Sequence, residues 1–353
     1  MNPNPTYNQP HASFKLEGVF YDTIGLSSLA NRFIKEGKDY QVSLGHFIVQ
    51  WIDLSPEISL QTSGSTGTPK TVLMSKQAMV NSALATGDYF KLKPGDSALS
   101  CLPFEYIAAK MMFVRAYVLG LELDCVKPSS NPLEAILRSY DFCAMVPLQL
   151  ENSLEYLHQI TTIIVGGAKL SNGLKIKLKN SSSSIYETFG MTETVSHIAV
   201  KNISQPASFF EVLPSVSIGV DERNCLTVNA PHLVSTTIQT NDIVQLRSKT
   251  TFEWIGRFDT IINSGGIKIA PEQLEQQLEG FIEERFFITS QKEDSLGEIV
   301  VIVIERSKPY ETLNFDILEP MKRPKHIYYV DAFKETISGK IKRQETLDLV
   351  KPE

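Results

Sequence analysis

Short apolar runs and longer amphipathic runs alternate along the chain from Asp96 onward. The short runs are rich in β-forming residues and predict strands, whereas the longer runs predict helices. The predicted strands are "DSALSCLP", "LELDCVKP", "YDFCAMVP", "TTIIVGG" and "SIYETFG", and the predicted helices are "IAAKMMFVRAYVLG", "PLEAILRS" and "LQLENSLEYL". This alternation predicts βαβ units and a mostly parallel sheet covered by helices, with ligands bound at loops after the strands. Candidate loops are residues 59–75, 165–170 and 186–194.

The pattern changes after about residue 206 and again after "GRFDT" at 256–260. Short runs such as "CLTVNA" and "TFEWIG" predict a β-rich subdomain over residues 206–255. A new unit then begins with a strand, a glycine turn and a helix that starts near Pro271, followed by the strand "EIVVIVIE". We therefore predict a large doubly wound α/β domain over residues 1–257, which includes the β-rich subdomain, and a small α+β domain over residues 258–353.

Composition narrows the class of protein. The 353 residues carry a net charge of -6 without a long run of one sign, which argues against nucleic acid as a partner. The four cysteines are widely separated, which indicates reduced, packed thiols. The six histidines show no metal-ligand spacing. Because we find no signal peptide and no apolar run long enough to span a bilayer, we expect a cytoplasmic protein without membrane insertion.

The loop "TSGSTGTPK" combines glycines, hydroxyl groups and one lysine in a pattern typical of an anion-binding site. It differs from a Walker A loop, because Pro69 stands where that motif has glycine before lysine. A flexible surface turn remains an equal alternative from this stretch alone. The candidate phosphate ligands are Thr62, Ser63, Gly64, Ser65, Thr66, Gly67 and Lys70.

Five motifs occur in a particular order: "TSGSTGTPK", "YETFGMTE", "TNDIVQL", "GRFDTIINSGGIKIAPEQLE" and "TISGKIKR". This ordered set resembles the AMP-forming acyl-CoA synthetase, adenylation-domain and luciferase superfamily, over residues from about Leu60 to Arg343. The resemblance implies a ligase that uses ATP and Mg²⁺ to convert a carboxylic acid to acyl-AMP and pyrophosphate. CoA then displaces AMP. It also implies that the opening loop closes over the β- and γ-phosphates of ATP, and that the small C-terminal domain is mobile.

The resemblance implies roles for individual residues around the nucleotide. Phe189 matches the residue that stacks on adenine, Thr192 a hydroxyl near the α-phosphate, and Glu193 the ligand of Mg²⁺. Asp242 matches the acceptor of the ribose hydroxyls, and Arg257 a contact to ribose and phosphate. The alternatives are that Phe189 lies in the core, that Thr192 caps a helix, and that Glu193 is solvated. The family's glycine before the aspartate is Asn241 here, a residue that tolerates the same left-handed backbone.

The C-terminal motifs imply residues for the catalytic steps. Asp259 matches the hinge about which the small domain rotates, although an ion pair with Arg257 is the simpler interpretation. Gly265 and Gly266 match the loop of the thioester-forming step and allow close backbone approach, while Lys268 lies nearby or is solvated. Lys340 matches the lysine that stabilises charge on the α-phosphate during adenylation.

Two local stretches, "GMTETVSHIAV" and "LPFEYIAAKMM", resemble the compact bacterial o-succinylbenzoate:CoA ligases of menaquinone synthesis. The substrate of those enzymes has a second carboxylate, so we predict acid-binding roles for Lys110, Ser196 and His197. Alternatively, Lys110 reaches solvent and His197 is a satisfied loop histidine. The segment before the phosphate loop is shorter than usual, which predicts a reduced N-terminal subdomain. A carrier protein as acyl acceptor, a different aryl or fatty acid, a module without catalysis, and a homodimer all remain open.

Overall fold

The computed structural model describes residues 5–62, 70–205, 208–335 and 341–350. Helices and strands alternate along much of the chain, so the predicted α/β fold class is confirmed. The chain divides into two compact units that are interleaved in sequence. Unit 1 contains Met1–Leu170, Lys177–Ile218 and Val228–Ile238, and unit 2 contains Ser171–Ile176, Gly219–Thr227 and Gln239–Glu353.

Unit 1 is built on a sheet whose central strands are parallel. Its strands are β1 (Lys15–Leu16), β2 (Val19–Phe20), β5 (Ser97–Ser100), β6 (Glu122–Cys125), β7 (Tyr140–Met145), β8 (Ile160–Val165), β9 (Ser184–Gly190), β10 (His197–Asn202) and β11 (Phe210–Val212). They lie in the order β2, β1, β6, β5, β7, β8, β9, β10 and β11, and the pairs from β6 to β9 are parallel. Near-continuous apolar runs such as "YDFCAM" suit strands that are covered on both faces. The predicted parallel sheet is confirmed.

A separate antiparallel ribbon and most of the helices complete unit 1. The ribbon consists of β3 (Glu57–Thr62) and β4 (Lys70–Ser75). The helices are α1 (Thr23–Glu36), α2 (Asp39–Ile52), α3 (Lys76–Phe90), α4 (Ile107–Leu119), α5 (Pro147–Asn152) and α6 (Asn172–Leu178), the last of which crosses into unit 2. In the described part of the chain, no helix has both the length and the apolar character needed to cross a bilayer.

The stretch at 132–139 differs from the sequence prediction, because it forms turns where a helix was expected. Leu133 is buried, and its carbonyl accepts from the backbone N–H of Ile136 in a turn. The carbonyl of Ile136 accepts from the side chain of Gln159 at 3.2 Å. The carbonyl of Ile136 is therefore satisfied by a tertiary hydrogen bond and not by a helical one.

Unit 2 contains part of the β-rich segment and a second sheet. Strands β12 (Ser217–Val220), β13 (Cys225–Asn229) and β14 (Ile238–Leu246) cross the division between units, and β15 (Thr251–Arg257) lies within unit 2. The second sheet contains β16 (Ile262–Ser264), β17 (Ile267–Ile269), β18 (Phe286–Glu293), β19 (Gly297–Glu305) and β20 (His326–Val330). Helices α7 (Pro271–Leu278) and α8 (Arg343–Leu347) accompany it. The strand, turn and helix predicted around Pro271 are confirmed.

The second sheet buries apolar side chains on both of its faces. Successive residues of β19 alternate between two clusters, with Val300, Ile302 and Ile304 in one cluster and Ile299, Val301 and Val303 in the other. This period of two is expected for a strand that is covered on both sides. All members of both clusters come from residues 262–350. The domain boundary at residues 257–258 stays a prediction.

Candidate active site

The opening loop connects the two strands of the β3–β4 ribbon. Thr62 and Lys70 form the last backbone pair before the loop. Ser63, Gly64, Ser65, Thr66 and Gly67 lie outside the described residues, as does Lys340. Their predicted roles in phosphate binding and adenylation therefore stay predictions, as do those of the Thr62 and Lys70 side chains.

The predicted adenine and magnesium residues follow one another at the end of β9. The Phe189 ring is half-buried and contacts the Phe210 ring edge-on, with centroids 5.8 Å apart. Thr192 and Glu193 lie in a short 3₁₀ turn directly after β9. Glu193 is exposed and makes no hydrogen bond or ion pair within the described part of the chain. Its carboxylate is therefore accessible to a cation.

The next residues form a strained turn that is fixed by one side chain. Val195 has φ 68° and ψ -51°, which is a γ-turn, and the N–H of Ser196 donates to the carbonyl of Thr194 at 2.7 Å. A β-branched residue rarely adopts positive φ. The hydroxyl of Thr194 accepts from the N–H of Met191 at 2.9 Å and can donate to the carbonyl of Ser196 at 2.8 Å. These bonds hold the strained turn, a kind of feature that clusters at functional sites.

Gly190 allows the two ends of this turn to approach each other. A Cβ atom at Gly190 would lie 2.4 Å from the carbonyl oxygen of Ser196 and 2.5 Å from the Cα of His197. No side chain fits there, so the sequence requires glycine at this position. The turn thus places Glu193 on one side and Ser196 and His197 on the other.

Arg115, in the middle of α4, contacts both Ser196 and His197. Its guanidinium lies 3.0 Å from Ser196 Oγ and 3.4 Å from His197 Nδ1, and it also contacts Thr86 Oγ1 at 3.4 Å. The residue is only 2% exposed, yet no carboxylate pairs with it among the described residues. Burial lowers the pKa of Arg115 to about 9. A buried cation without a counter-ion is costly, so this position can accommodate an anion.

His197 contributes an unsatisfied donor on the side of its ring that faces away from Arg115. An arginine can only donate, so His197 Nδ1 accepts and the ring proton is assigned to Nε2. Nε2 is buried and has no hydrogen-bond partner within the described residues. Burial and the charge of Arg115 lower the pKa of His197 well below its usual value, so the ring is neutral at pH 7. The alternative of a satisfied loop histidine is wrong, because His197 begins β10 and its Nε2 is unpartnered.

Lys110 lies one and a half turns before Arg115 on α4 and is also buried. It is 9% exposed, and its Nζ lies 5.9 Å from the centroid of the Phe47 ring. Burial lowers the pKa of Lys110, and the charge of Glu105 opposes this effect. The stem of Lys110 is thus covered by α4 and its neighbours, and the choice between an acid contact and an ammonium that reaches solvent stays a prediction.

Sequence reasoning missed Arg115. Residues 109–118 of α4 are all buried, and Lys110 and Arg115 are the two charged residues among them. The sequence did contain a signal for a functional role of Arg115, namely a charged residue within an apolar run. Arginine is almost never buried unless it is paired, so such a residue indicates a binding partner.

The predicted ribose ligand lies in unit 2, on the β14–β15 ladder. Asp242 is 8% exposed and is opposite Arg257 in the ladder. Its Oδ1 accepts a hydrogen bond from Nε1 of Trp254 at 2.8 Å. Burial raises the pKa of Asp242, while Trp254 and Arg257 act in the opposite direction. Asn241 lies within β14 and is absent from the residues with positive φ, so a left-handed backbone does not explain its place before Asp242.

Arg257 and Asp259 form the ion pair that was the simpler interpretation of "GRFD". Two nitrogens of Arg257 lie 2.8 and 2.9 Å from the two oxygens of Asp259. The pair raises the pKa of Arg257 and lowers that of Asp259. Both side chains are about half-exposed, so the pair contributes little to stability. The hinge role of Asp259 and the phosphate contact of Arg257 stay predictions.

Gly265 and Gly266 form the two-residue turn between β16 and β17. Their φ values are 56° and 85°, as in a type I′ hairpin turn. We expected glycine here because of close backbone approach, but a Cβ at Gly266 would meet nothing within 4 Å. At Gly266 the reason is therefore the positive φ, whereas a Cβ at Gly265 would also lie 3.2 Å from Cδ2 of Leu296. Lys268 is exposed, and its part in thioester formation stays a prediction.

The four cysteines agree with the sequence analysis. Cys101, Cys125, Cys143 and Cys225 are all buried and free. The described residues contain no group of three or more His, Cys, Asp or Glu side chains placed to hold a metal ion. Any metal bound at Glu193 would thus need oxygen ligands from a bound molecule or water.

Comparison with known proteins decides the family. The family model described as AMP-binding enzyme matches residues 59–222. The crystal structure of an acyl-CoA synthetase (AMP-forming)/AMP-acid ligase II-like protein from Dyadobacter fermentans is 35% identical, and the match covers 92% of this chain and 98% of that one, with a TM-score of 0.62. The chain belongs to the AMP-forming acyl-CoA synthetase family. The predicted superfamily is confirmed.

Relatives within the acyl-CoA synthetase family include 2-succinylbenzoate–CoA ligases. The enzyme of Lactococcus lactis is 25% identical over 315 residues, which cover 82% of this chain and 70% of that protein. The Haemophilus influenzae enzyme is likewise 25% identical, over 328 residues. The structure of the Bacillus subtilis O-succinylbenzoate coenzyme A synthetase with ATP and magnesium has a TM-score of 0.73 at 19% identity, and the match covers 82% of this chain and 69% of that one. At that identity the likeness concerns the fold.

Proposed function

We propose that the chain is an AMP-forming ligase that activates o-succinylbenzoate with ATP and transfers the acyl group to CoA. Membership of the acyl-CoA synthetase family supports adenylation of an acid. The 2-succinylbenzoate–CoA ligases among its relatives support this particular acid. In the proposed reaction the succinyl carboxylate attacks the α-phosphorus of ATP, and pyrophosphate leaves. The thiol of CoA then attacks the acyl carbon of the acyl-AMP, and AMP leaves.

The observation that carries the choice of acid is the unpaired guanidinium of Arg115. o-Succinylbenzoate has two carboxylates, and the one on the aromatic ring is not activated. That carboxylate must be held as an anion, and a buried anion needs a cation or several donors. The guanidinium of Arg115 provides the cation, Ser196 Oγ lies 3.0 Å from it, and His197 Nε2–H is a further buried donor on the neighbouring residue. A fatty acid has no second anion and would leave Arg115 buried and uncompensated.

The nucleotide and its metal fit the residues that follow β9. Mg²⁺ prefers one or two carboxylates together with phosphate oxygens and water, and Glu193 is an exposed carboxylate that pairs with none of the described residues. When bound, Mg²⁺ would neutralise charge on the phosphates of ATP. Phe189 would contact adenine, and Asp242 would accept from ribose. A location in the cytoplasm and assembly as a homodimer stay predictions.

The test is acid-dependent exchange of labelled pyrophosphate into ATP with a panel of acids. We expect exchange with o-succinylbenzoate and much less with benzoate, 4-phenyl-4-oxobutyrate or decanoate. The third acid keeps the succinyl chain and the ring but lacks the aromatic carboxylate, so it isolates the role of that group. Equal exchange with o-succinylbenzoate and 4-phenyl-4-oxobutyrate would contradict the proposed acid, and no exchange with any acid would contradict adenylation. Free CoA and a phosphopantetheinylated carrier protein, offered in parallel, identify the acyl acceptor.

Lys110 should contribute to binding of the same acid, because the residue is 9% exposed and makes no ion pair within the described residues. We expect Lys110→Met, which keeps a similar shape, to raise the KM for o-succinylbenzoate about tenfold, the typical cost of one charge-assisted contact. The KM for ATP should change little. Lys93→Met, at an exposed lysine, is the control. If the KM for the acid stays within twofold of the parent, Lys110 has no role in the acid site.

A further inference from the structure

A register shift in the β14–β15 ladder determines which side chains lie beside Asp242. Asp242 is opposite Arg257, and Ile243 is opposite Gly256, but Val244 is opposite Trp254. Ile255 is therefore an extra residue on β15, which is the arrangement of a β-bulge.

Without the bulge, Trp254 would project from the other face of the sheet. A regular antiparallel ladder would place Trp254 opposite Gln245, and successive side chains along a strand point to opposite faces. The extra residue moves Trp254 opposite Val244, which shares a face with Asp242. The indole can then reach the carboxylate, and its Nε1 lies 2.8 Å from Asp242 Oδ1.

The indole holds the carboxylate in one orientation. Indole Nε1–H is only a donor and the ring is rigid, so the bond fixes the direction of Oδ1. The backbone N–H of Asp242 donates to the hydroxyl of Thr240 at 3.0 Å. This bond fixes the backbone from which the side chain extends. Asp242 is thus held through Oδ1 and its backbone N–H, and no hydrogen bond to Oδ2 is made within the described residues. Two adjacent ribose hydroxyls require acceptors in fixed positions, because hydrogen bonds weaken steeply with misalignment.

We propose that Trp254 is a positioning residue for Asp242 and that this bond sets the enzyme's preference for a nucleotide with both ribose hydroxyls. The inference rests on the proposed function, since it takes ATP as the ligand of Asp242. Burial of Asp242 favours its neutral form, and the indole bond favours the ionised form that accepts hydrogen bonds. Trp254 therefore acts through Asp242, and no contact between the indole and the nucleotide is needed.

The test compares ATP with 2′,3′-dideoxy-ATP in the pyrophosphate exchange assay. Trp254→Phe keeps an aromatic ring and removes the donor. We expect its kcat/KM for ATP to fall roughly tenfold, the typical effect of losing one hydrogen bond to a charged group, while the value for 2′,3′-dideoxy-ATP changes less than twofold. The preference for ATP should thus shrink by about the same factor. If both nucleotides lose activity equally, Trp254 serves only the fold, and the proposal is overturned.

The chain offers a matched control in its second tryptophan. Trp51 is fully buried in unit 1, and its Nε1 has no hydrogen-bond partner within the described residues. Trp51→Phe should leave the preference for ATP unchanged. Because the sequence has two tryptophans, this variant also leaves Trp254 as the sole indole fluorophore.

Nucleotide binding to Trp51→Phe gives a readout that does not depend on catalysis. Hydrogen bonds from the ribose to Asp242 should change the emission of Trp254 when ATP binds, and 2′,3′-dideoxy-ATP at saturation should change it less. Calorimetry on the same samples establishes that each nucleotide is bound. Equal emission changes with both bound nucleotides would overturn the proposal. Failure of the exchange assay with every acid would contradict the proposed function, but this titration would still test Trp254.

Discussion

An Arg115→Met variant should lose affinity for o-succinylbenzoate by roughly 100-fold in KM, while its KM for ATP changes little. The reason is that a buried anion without its cation costs several kcal/mol. The fold should not be weakened by the change, because the guanidinium is buried and pairs with no carboxylate among the described residues. Steady-state kinetics at saturating ATP, together with thermal unfolding of the free protein, measure both expectations. Arg138→Met, at an exposed arginine that pairs with Asp124 at 3.2 Å, is the control.

The stability of the free protein should also depend on pH through Arg115. Its pKa is lowered from the ordinary arginine value to about 9 by burial, so the folded state disfavours the charged form. This penalty is fully present below about pH 9 and fades as the pH rises toward 12. The advantage of Arg115→Met over the parent in free energy of unfolding should therefore be larger at pH 7 than at pH 10. A variant that is less stable than the parent at pH 7, with an unchanged KM for the acid, would show that Arg115 is structural.

A Lys340→Ala variant should lose adenylation activity while it keeps thioester formation from supplied acyl-AMP. This prediction comes from the motif "ISGKIKR", since Lys340 lies outside the described residues. Loss of one preorganised charge contact typically costs about 3 to 4 kcal/mol, or two to three decades in rate. Pyrophosphate exchange measures the first half-reaction, and release of AMP from acyl-AMP and CoA measures the second.

The neighbouring Lys342 provides the control for Lys340. Its Nζ lies 2.9 Å from Glu345, and its backbone N–H donates to the carbonyl of Lys334 at 2.8 Å. Lys342→Ala removes a charge of the same sign two residues away and keeps the backbone bond, so both half-reactions should be preserved. Equal losses in the two half-reactions of Lys340→Ala would assign Lys340 to the fold or to CoA binding.

Local sequence patterns predicted much of the fold because their physical causes are local. Pro271 at the start of α7 and the glycine pair 265–266 determine their own backbone conformations. The parallel strands from β6 to β9 were predictable because strands covered on both faces need continuous apolar runs. The helix expected at 132–139 was wrong because a side chain distant in sequence, Gln159, bonds to its backbone.

The candidate site was less predictable, because its contacts join residues far apart in sequence. The sequence singled out His197 and Ser196, but their contact with Arg115 spans 82 and 81 positions. The bond between Trp254 and Asp242 depends on the extra residue in β15, because that residue decides the face of the sheet from which Trp254 projects. Secondary-structure propensities do not predict the position of such a bulge. Both sets of contacts are determined by tertiary structure and not by the local sequence.

The two-sided core of the second sheet makes residues 262–350 a candidate module for exchange between related chains. A strand such as β19, whose alternate side chains enter two clusters drawn from this one stretch, finds its apolar partners nearby in sequence. Recombination between homologues that preserves both clusters would keep these contacts intact, whereas a crossover between β18 and β19 would separate strands that pair over eight positions. A junction before Ile262, close to "GRFD", therefore leaves both apolar clusters whole. A chimaera joined there could receive a different C-terminal stretch, and with it a different lysine motif, without repacking either apolar cluster.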